Sequence, residues 1–292
     1  IRTEKNFLKL STTDLETGIN WWSLAKIENE GSVIIPTKIF SNFINLLKEK
    51  QLELKTETQN LFIESENYHT KIKGFNPEEF PIIPKITEGE SVLINNSKFC
   101  QSLNQDVQIP ILSSARPEIS GIYLSFHKDL IKVVATDSFR LAEKKILLEK
   151  PLSLRQEYSL ILPQKAAKEI VNIFGGQKGE LKIYFSANQI LFESRMEETD
   201  HPKIQLISKL IEGEYPDYQA IFPKEPKTKI ILERDEFLNQ LRAASLFASK
   251  MNEITLKTNQ EKKEMTLCNQ SDYCRYCPFS FSSKIAFSVI EI

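Results

Sequence analysis

No run among the 292 residues reaches the roughly 18–20 consecutive apolar positions that a membrane-crossing helix requires, so none is expected. No basic stretch followed by an apolar segment and small residues opens the chain, so no secretion leader is expected either. The opening IRTEKNFLKL has no methionine and reads like the middle of a strand, which suggests a fragment. Cysteine is scarce. Four of them (Cys100, Cys268, Cys274, Cys277) are too few for a disulfide scaffold of this length. Cys274 and Cys277 form a CxxC, but zinc needs four ligands, and no second pair or histidine lies nearby. They read as incidental thiols of a reducing cytosol, and a cytoplasmic location is expected.

An excess of charge is also missing. Lysine and arginine number 38 against 39 acids, a formal net charge of −1. Proteins that hold nucleic acid mainly by neutralising phosphates are strongly basic. If this chain handles nucleic acid, its positive charge is segregated, or its grip does not depend on affinity. Signatures of catalysis are absent too. There is no GxxxxGK phosphate loop, and GGQKGE (175–180) reads as a loop between helix and strand. There is no GxSxG, and His69, His127 and His201 lie far apart without a motif around them. Thr136-Asp137 reads as a strand-end turn that hydrogen-bonds its own backbone. RMEETDH (195–201) reads as a solvated loop. No catalytic residue, metal ligand or cofactor is assigned.

What the chain does have is a repeat. Its 41% hydrophobic and 26% charged residues suit a globular protein, and its length allows two or three domains. GFNPEEFPIIP (74–84) and GEYPDYQAIFP (213–223) match without a gap at Gly74/Gly213, Pro77/Pro216, Ile82/Ile221 and Pro84/Pro223. Three other segments recur in the same order. LSTTDLETGI (10–19) answers to VVATDSFRLA (133–142), VIIPTKIFSNFINLL (33–47) to LILPQKAAKEIVNIF (160–174), and ELKTETQNLFIES (53–65) to ELKIYFSANQILFES (180–194). The spacing grows along the chain, as loop insertions between matching elements would produce. SKFCQSLNQ (97–105) and IKVVATDS (131–138) have counterparts in DEFLNQLRAAS (235–245) and EMTLCNQS (264–271). The order reads as half a unit, a whole unit and half a unit, with domains expected at 1–86, 87–224 and 225–292.

Within a unit, alternating runs such as GIYLSF and ELKIYF read as strands. The proline after VII or LIL is expected in the first helical turn. In 163–174, Ala166, Ala167, Ile170, Ile173 and Phe174 share one helical face, opposite Lys165, Lys168, Glu169 and Asn172. In 36–48, Ile39, Phe40, Phe43, Leu46 and Leu47 form the expected buried face. Lys38, Ser41, Asn42, Asn45 and Lys48 lie opposite, with no acid among them. Strands with one-sided helices make an α+β design. Of Trp21 and Trp22, in an alternating run, one packs inward and one outward.

TDSFRLA (136–142), LILP before a helix (160–163) and LIEGEYPDYQAIFP (210–223) resemble the beta subunit of bacterial DNA polymerase III, the sliding-clamp family. The resemblance runs from about residue 1 to 272; the tail CRYCPFSFSSKIAFSVIEI (274–292) fits poorly. It implies a DNA-clamp fold of tandem domains, with strands on the outer wall and helices lining the inner face. It implies three domains per chain, paired head to tail as a homodimeric ring around double-stranded DNA without regard to sequence. It implies a processivity factor of DNA replication, not an enzyme. The partners it implies are the polymerase III alpha subunit, the clamp loader and repair polymerases, held through short clamp-binding peptides. Lys38, Lys48, Lys98, Arg116, Lys165, Lys168 and Arg242 would face the pore. A peptide cleft would use Ile119, Thr136, Ser138, Phe139, Arg140, Leu141, Pro216 and Ile221. Ser138 stands where the family commonly has glycine, Phe139 where it has histidine, and Ala220 where arginine is frequent. The family completes this cleft with C-terminal residues that lie beyond the matching part of this chain. An alternative expectation is a repeat-built peptide-binding module that never encloses DNA.

Overall fold

The computed structural model describes the chain except residues 49–50, 87–88, 111–114, 223–227, 248–253, 260–263, 269–278, 282–285 and 290–292. The CxxC and Pro223 therefore lie outside the described residues. The chain forms two compact units, Ile1–Pro216 and Asp217–Ile292.

The first unit opens with β1 (Arg2–Glu4), β2 (Phe7–Thr13), β3 (Thr17–Leu24), α1 (Thr37–Leu46), β4 (Glu53–Glu57), β5 (Asn60–Glu64) and β6 (His69–Lys73). It continues with β7 (Ser91–Asn95), α2 (Asn96–Asp106), β8 (Gly121–Phe126), β9 (Leu130–Thr136), β10 (Leu141–Leu147), β11 (Tyr158–Pro163), α3 (Gln164–Phe174), β12 (Glu180–Phe185), β13 (Gln189–Arg195) and β14 (Pro202–Lys209). Three sheets result, with strand orders β1-β2-β3-β14-β13-β12-β7, β10-β9-β8-β11 and β4-β5-β6. The seven-stranded sheet is continuous across the boundary between the first and middle repeats. There β3 pairs antiparallel with β14, Ile204 opposite Trp21 and Leu206 opposite Ile19.

The middle repeat holds the main core. Ala166, Ala167, Ile170 and Phe174 of α3 are fully buried against Phe99 and Leu103 of α2 and the inward residues of both sheets. Two amides staple these helices end to end. Asn96 donates from Nδ2 to the carbonyls of Phe174 and Gln177, both at 2.7 Å. Gln164 donates from Nε2 to the carbonyls of Val107 and Pro110, at 2.8 and 2.9 Å. The start of each helix is tied to the end of the other, so they run antiparallel. The Asn95 side chain caps α2 by accepting from the Lys98 N–H.

The first repeat is packed more lightly. Val33, Leu61, Ile63 and Ile72 form its core, with Phe40 and Phe43 of α1 partly buried against them. No residue of α1 is fully buried. Two members of the expected apolar face are corrected here: Ile39 is 56% exposed and Leu46 75%. The periodicity was sound, but α1 is covered along one edge only. The prolines also sit one place earlier than expected. Pro36 and Pro163 are the capping residues before α1 and α3, with extended ψ of 111° and 138°. Trp22 is buried and Trp21 is partly exposed.

The second unit contains β15 (Thr228–Ile231), α4 (Arg234–Ser245), β16 (Thr255–Asn259), β17 (Glu264–Cys268), β18 (Phe279–Phe281) and β19 (Ala286–Val289). β15 pairs with β19, and β16-β17-β18 form a sheet. Met265 and Leu267 are buried against Phe237 and Leu241 of α4. The whole is an α+β fold.

Candidate functional site

The middle four-stranded sheet gathers several candidate residues at one end. β8 and β9 are antiparallel, with Tyr123 opposite Val134, which brings Gly121 level with Thr136. Leu141 lies opposite Thr136, and Pro163 opposite Gly121. The residues just before β8 and those joining β9 to β10 therefore meet at the same edge as the start of α3. Ile119, in a short helical turn at Pro117–Ile119, is buried there. The segment ending the unit passes beside it. Tyr215 stacks on Tyr123 with ring centroids 5.0 Å apart, which sets Pro216 next to this end.

The loop from Thr136 to Leu141 is a tight turn built by its own side chains. Thr136 Oγ1 donates to the Arg140 carbonyl at 2.8 Å and accepts from the Ser138 N–H. Asp137 Oδ1 accepts from the N–H groups of Phe139 and Arg140, and its Oδ2 accepts from Arg140 Nε at 3.0 Å. The backbone N–H of Arg140, with these other donors, holds the Asp137 carboxyl below its usual range. This carboxylate is fully engaged in holding the turn, as read from the sequence. Ser138 has φ 74°, the left-handed region that favours glycine. The turn drives Phe139 outward, 97% exposed, and leaves Leu141 half-buried. An aromatic ring held in water beside a half-buried leucine, a buried isoleucine and an arginine can receive an apolar peptide with a polar group. Arg140 Nη2 also reaches the Gln108 carbonyl, at 3.5 Å. Ile221 belongs to the second unit, in a short helical turn at Tyr218–Ile221, and is 75% exposed; Ala220 beside it is exposed as well.

The candidate basic residues fall on helices or their flanks. Lys38 and Lys165 occupy the same place, two residues after the capping prolines of α1 and α3, and both are exposed. Lys48 lies just past α1 and is exposed; Lys168 is half-buried on α3. Lys98 is exposed on α2 and pairs with Glu149 at 2.6 Å. Arg116 is exposed before the turn that carries Ile119. Arg242 is exposed in the last turn of α4, in the second unit. Sequence reasoning missed one partner. Lys165 pairs with Asp14, in the turn of the first repeat. The Lys165 ammonium, with the Thr17 N–H, pulls the Asp14 carboxyl down to about 2. Nothing in the sequence joins residues 151 positions apart. A second omission is Ile83 of the proline-spaced segment. It lies over Gly18 of β3, so close that a Cβ on that glycine would stand 2.8 Å from the Ile83 Cγ2.

Two family models match the chain. Residues 1–84 match the N-terminal domain of the DNA polymerase III beta subunit, and residues 94–217 match its central domain. A beta sliding clamp of Staphylococcus aureus is 27% identical over 246 residues, 83% of this chain and 63% of that protein. The chain thus spans less than two thirds of the length of such relatives. The Bacillus subtilis DNA polymerase sliding clamp superposes with a TM-score of 0.88 at 21% identity, over 99% of this chain and 77% of the other. The Helicobacter pylori beta clamp, solved bound to a DNA ligase peptide, gives 0.81 at 25% identity, over 96% and 74%.

Proposed function

The chain belongs to the DNA polymerase III beta subunit family, and on that premise we propose that it works as a DNA sliding clamp. In this reading it is a non-catalytic processivity factor that surrounds double-stranded DNA and tethers the replicative polymerase. Its domains are 1–86, 87–224 and 225–292.

The observation that carries the reading is the junction between the first two repeats. There a strand of one repeat, β3, continues the sheet of the next through β14. The strands equivalent to these two, β10 and β6, each pair on one side only among the described residues. A unit that offers the same donor and acceptor edges at each repeat can be added head to tail, and such heterologous contacts close a ring when the rotation per unit permits. Enclosure also accounts for a net charge of −1. A ring held by topology needs no tight phosphate contact, which would oppose sliding. Lys38, Lys48, Lys98, Arg116, Lys165, Lys168 and Arg242 supply a modest positive lining.

Client peptides take the end of the middle sheet, with Ile119, Leu141, Pro216 and Ile221 as apolar contacts. Thr136, Ser138, Phe139 and Arg140 form the rim. The polymerase alpha subunit, the clamp loader and repair polymerases are the clients this reading names, in the cytoplasm. The peptide held by the Helicobacter pylori relative supports this part of it.

Retention on DNA tests the whole. The protein, loaded by its clamp loader onto nicked circles or onto linear duplex of equal length, is passed through a sizing column. It is expected to elute with circles and to be lost from linear DNA. Equal retention on both contradicts enclosure and favours the peptide-binding module.

A further inference from the structure

Away from that sheet end, the middle repeat has a cavity of about 430 Å³ where the starts of β7 and β11 meet the β12–β13 hairpin. Its wall includes Glu90, Tyr158, Leu160, Phe185, Ser186 and Leu210. Tyr158 and Phe185 stack face to face, centroids 4.2 Å apart and planes at 10°. Glu90 is fixed in place: its Oε1 accepts from the Arg155 N–H at 2.6 Å, and its carbonyl accepts from the Phe185 N–H. Gly89 before it lies so near the Phe185 carbonyl that a Cβ there would come within 2.4 Å, so only glycine fits against that strand end. The other carboxylate oxygen, Oε2, is buried and has no hydrogen-bond partner. A buried acceptor left unpaired is a standing cost that an arriving donor removes.

We propose that this cavity is a binding site for an alkylammonium group on an aliphatic stem, the chemistry shared by a lysine side chain and a free polyamine. Glu90 Oε2 offers a single free acceptor with negative charge, which suits a compact ammonium better than a two-pronged guanidinium. The aromatic pair attracts a cation, and Leu160 and Leu210 give the stem an apolar wall. Burial, and then a side-chain hydrogen bond to the Glu90 carboxylate and its charge, push the Tyr158 phenol up, so it stays neutral beside the bound charge. Arg155 stands close enough to oppose that shift, and a cation there works against the ligand. The residues named for DNA and for client peptides are not part of this cavity, and the inference does not depend on either role.

The test uses the whole chain, labelled for heteronuclear NMR, and three probes. These are lysine blocked at both ends, its norleucine analogue, which has the stem but no ammonium, and 1,5-diaminopentane. Saturable shifts at the amides of Ser159, Ser186 and Leu210 are expected with blocked lysine or the diamine, and none with norleucine. If only blocked lysine binds, the source is a protein side chain; if only the diamine binds, it is a free amine. Glu90→Gln is expected to abolish binding with the melting temperature within a few degrees of the parent's. Arg155→Ala, outside the core, is expected to tighten binding about two- to fivefold. Shifts of equal size with norleucine, an Arg155→Ala that binds no tighter, or no saturation with either amine overturns the proposal.

Discussion

The turns Thr13–Thr17 and Thr136–Arg140 have the same hydrogen bonds in different surroundings. In the first, Thr13 Oγ1 donates to the Thr17 carbonyl and accepts from the Leu15 N–H, and Asp14 Oδ1 accepts from Glu16 and Thr17. In the second, the same roles pass to Thr136, Ser138, Asp137, Phe139 and Arg140. Leu15 and Ser138, one place after the aspartate, have φ of 75° and 74°. What differs is the partner. Asp14 reaches out to Lys165 of the next repeat, and Ile83 closes over Gly18. Asp137 turns inward to its own Arg140, and Phe139 stands in water. The same local code therefore gives one closed junction and one open end. Local sequence builds the turn; the neighbouring repeat decides whether it is a joint or a surface.

The largest expected effect separates the helices. Ile170→Ala in α3 should cost about 2–5 kcal/mol, because Ile170 is fully buried. Phe43→Ala at the equivalent place in α1 should cost clearly less, because α1 has no fully buried residue. Equal losses in denaturant melts would mean that the first repeat is as tightly packed as the middle one.

Gly18→Leu places at the closed junction the residue that Leu141 provides at the open end. Its Cβ collides with Ile83, so a loss of about 1–3 kcal/mol is expected. The double variant with Ile83→Ala should recover part of it. A neutral Gly18→Leu would show that the junction is not closed by Ile83.

A third comparison uses α2, since the described first repeat has a single helix. Asp106, near the end of α2, is buried with an unpaired Oδ2, and burial raises its carboxyl to about 6 against the pull of Lys144. The folded value lies above the ordinary 3.8, so the folded state favours the protonated acid. The resulting loss of stability is absent below about pH 4, grows as pH rises to about 6, and is constant above. Asp106→Asn should therefore gain about 1–2 kcal/mol at pH 8 and nothing at pH 3.5. Thermal melts at both pH values check this; a gain at both would point to a cause other than titration.

The smallest effect is a matched pair. Leu15→Gly and Ser138→Gly each relieve a left-handed backbone, and each should change stability by at most about 1 kcal/mol in the same direction. Opposite signs would break the equivalence of the turns.

Much of this was legible beforehand. The apolar spacing in 163–174 located α3, and the threonine–aspartate pair located the turn, because both are set by residues a few positions apart. Ile39 and Leu46 follow the same spacing as the buried face of α3, yet they are exposed: periodicity names a face and not its cover. Lys165 reads as a free lysine on a polar face because Asp14 approaches from a different repeat. Glu90 gives no sign in the sequence, since its orphaned oxygen exists only where the starts of two strands meet a hairpin.

The central claim is that these repeats join into a ring that holds DNA by enclosing it. The most direct measurement loads the protein onto a closed circle carrying one restriction site and then cuts the circle. The account predicts stable residence before the cut and prompt loss from the free ends after it. Residence that continues unchanged on the linear product would contradict it.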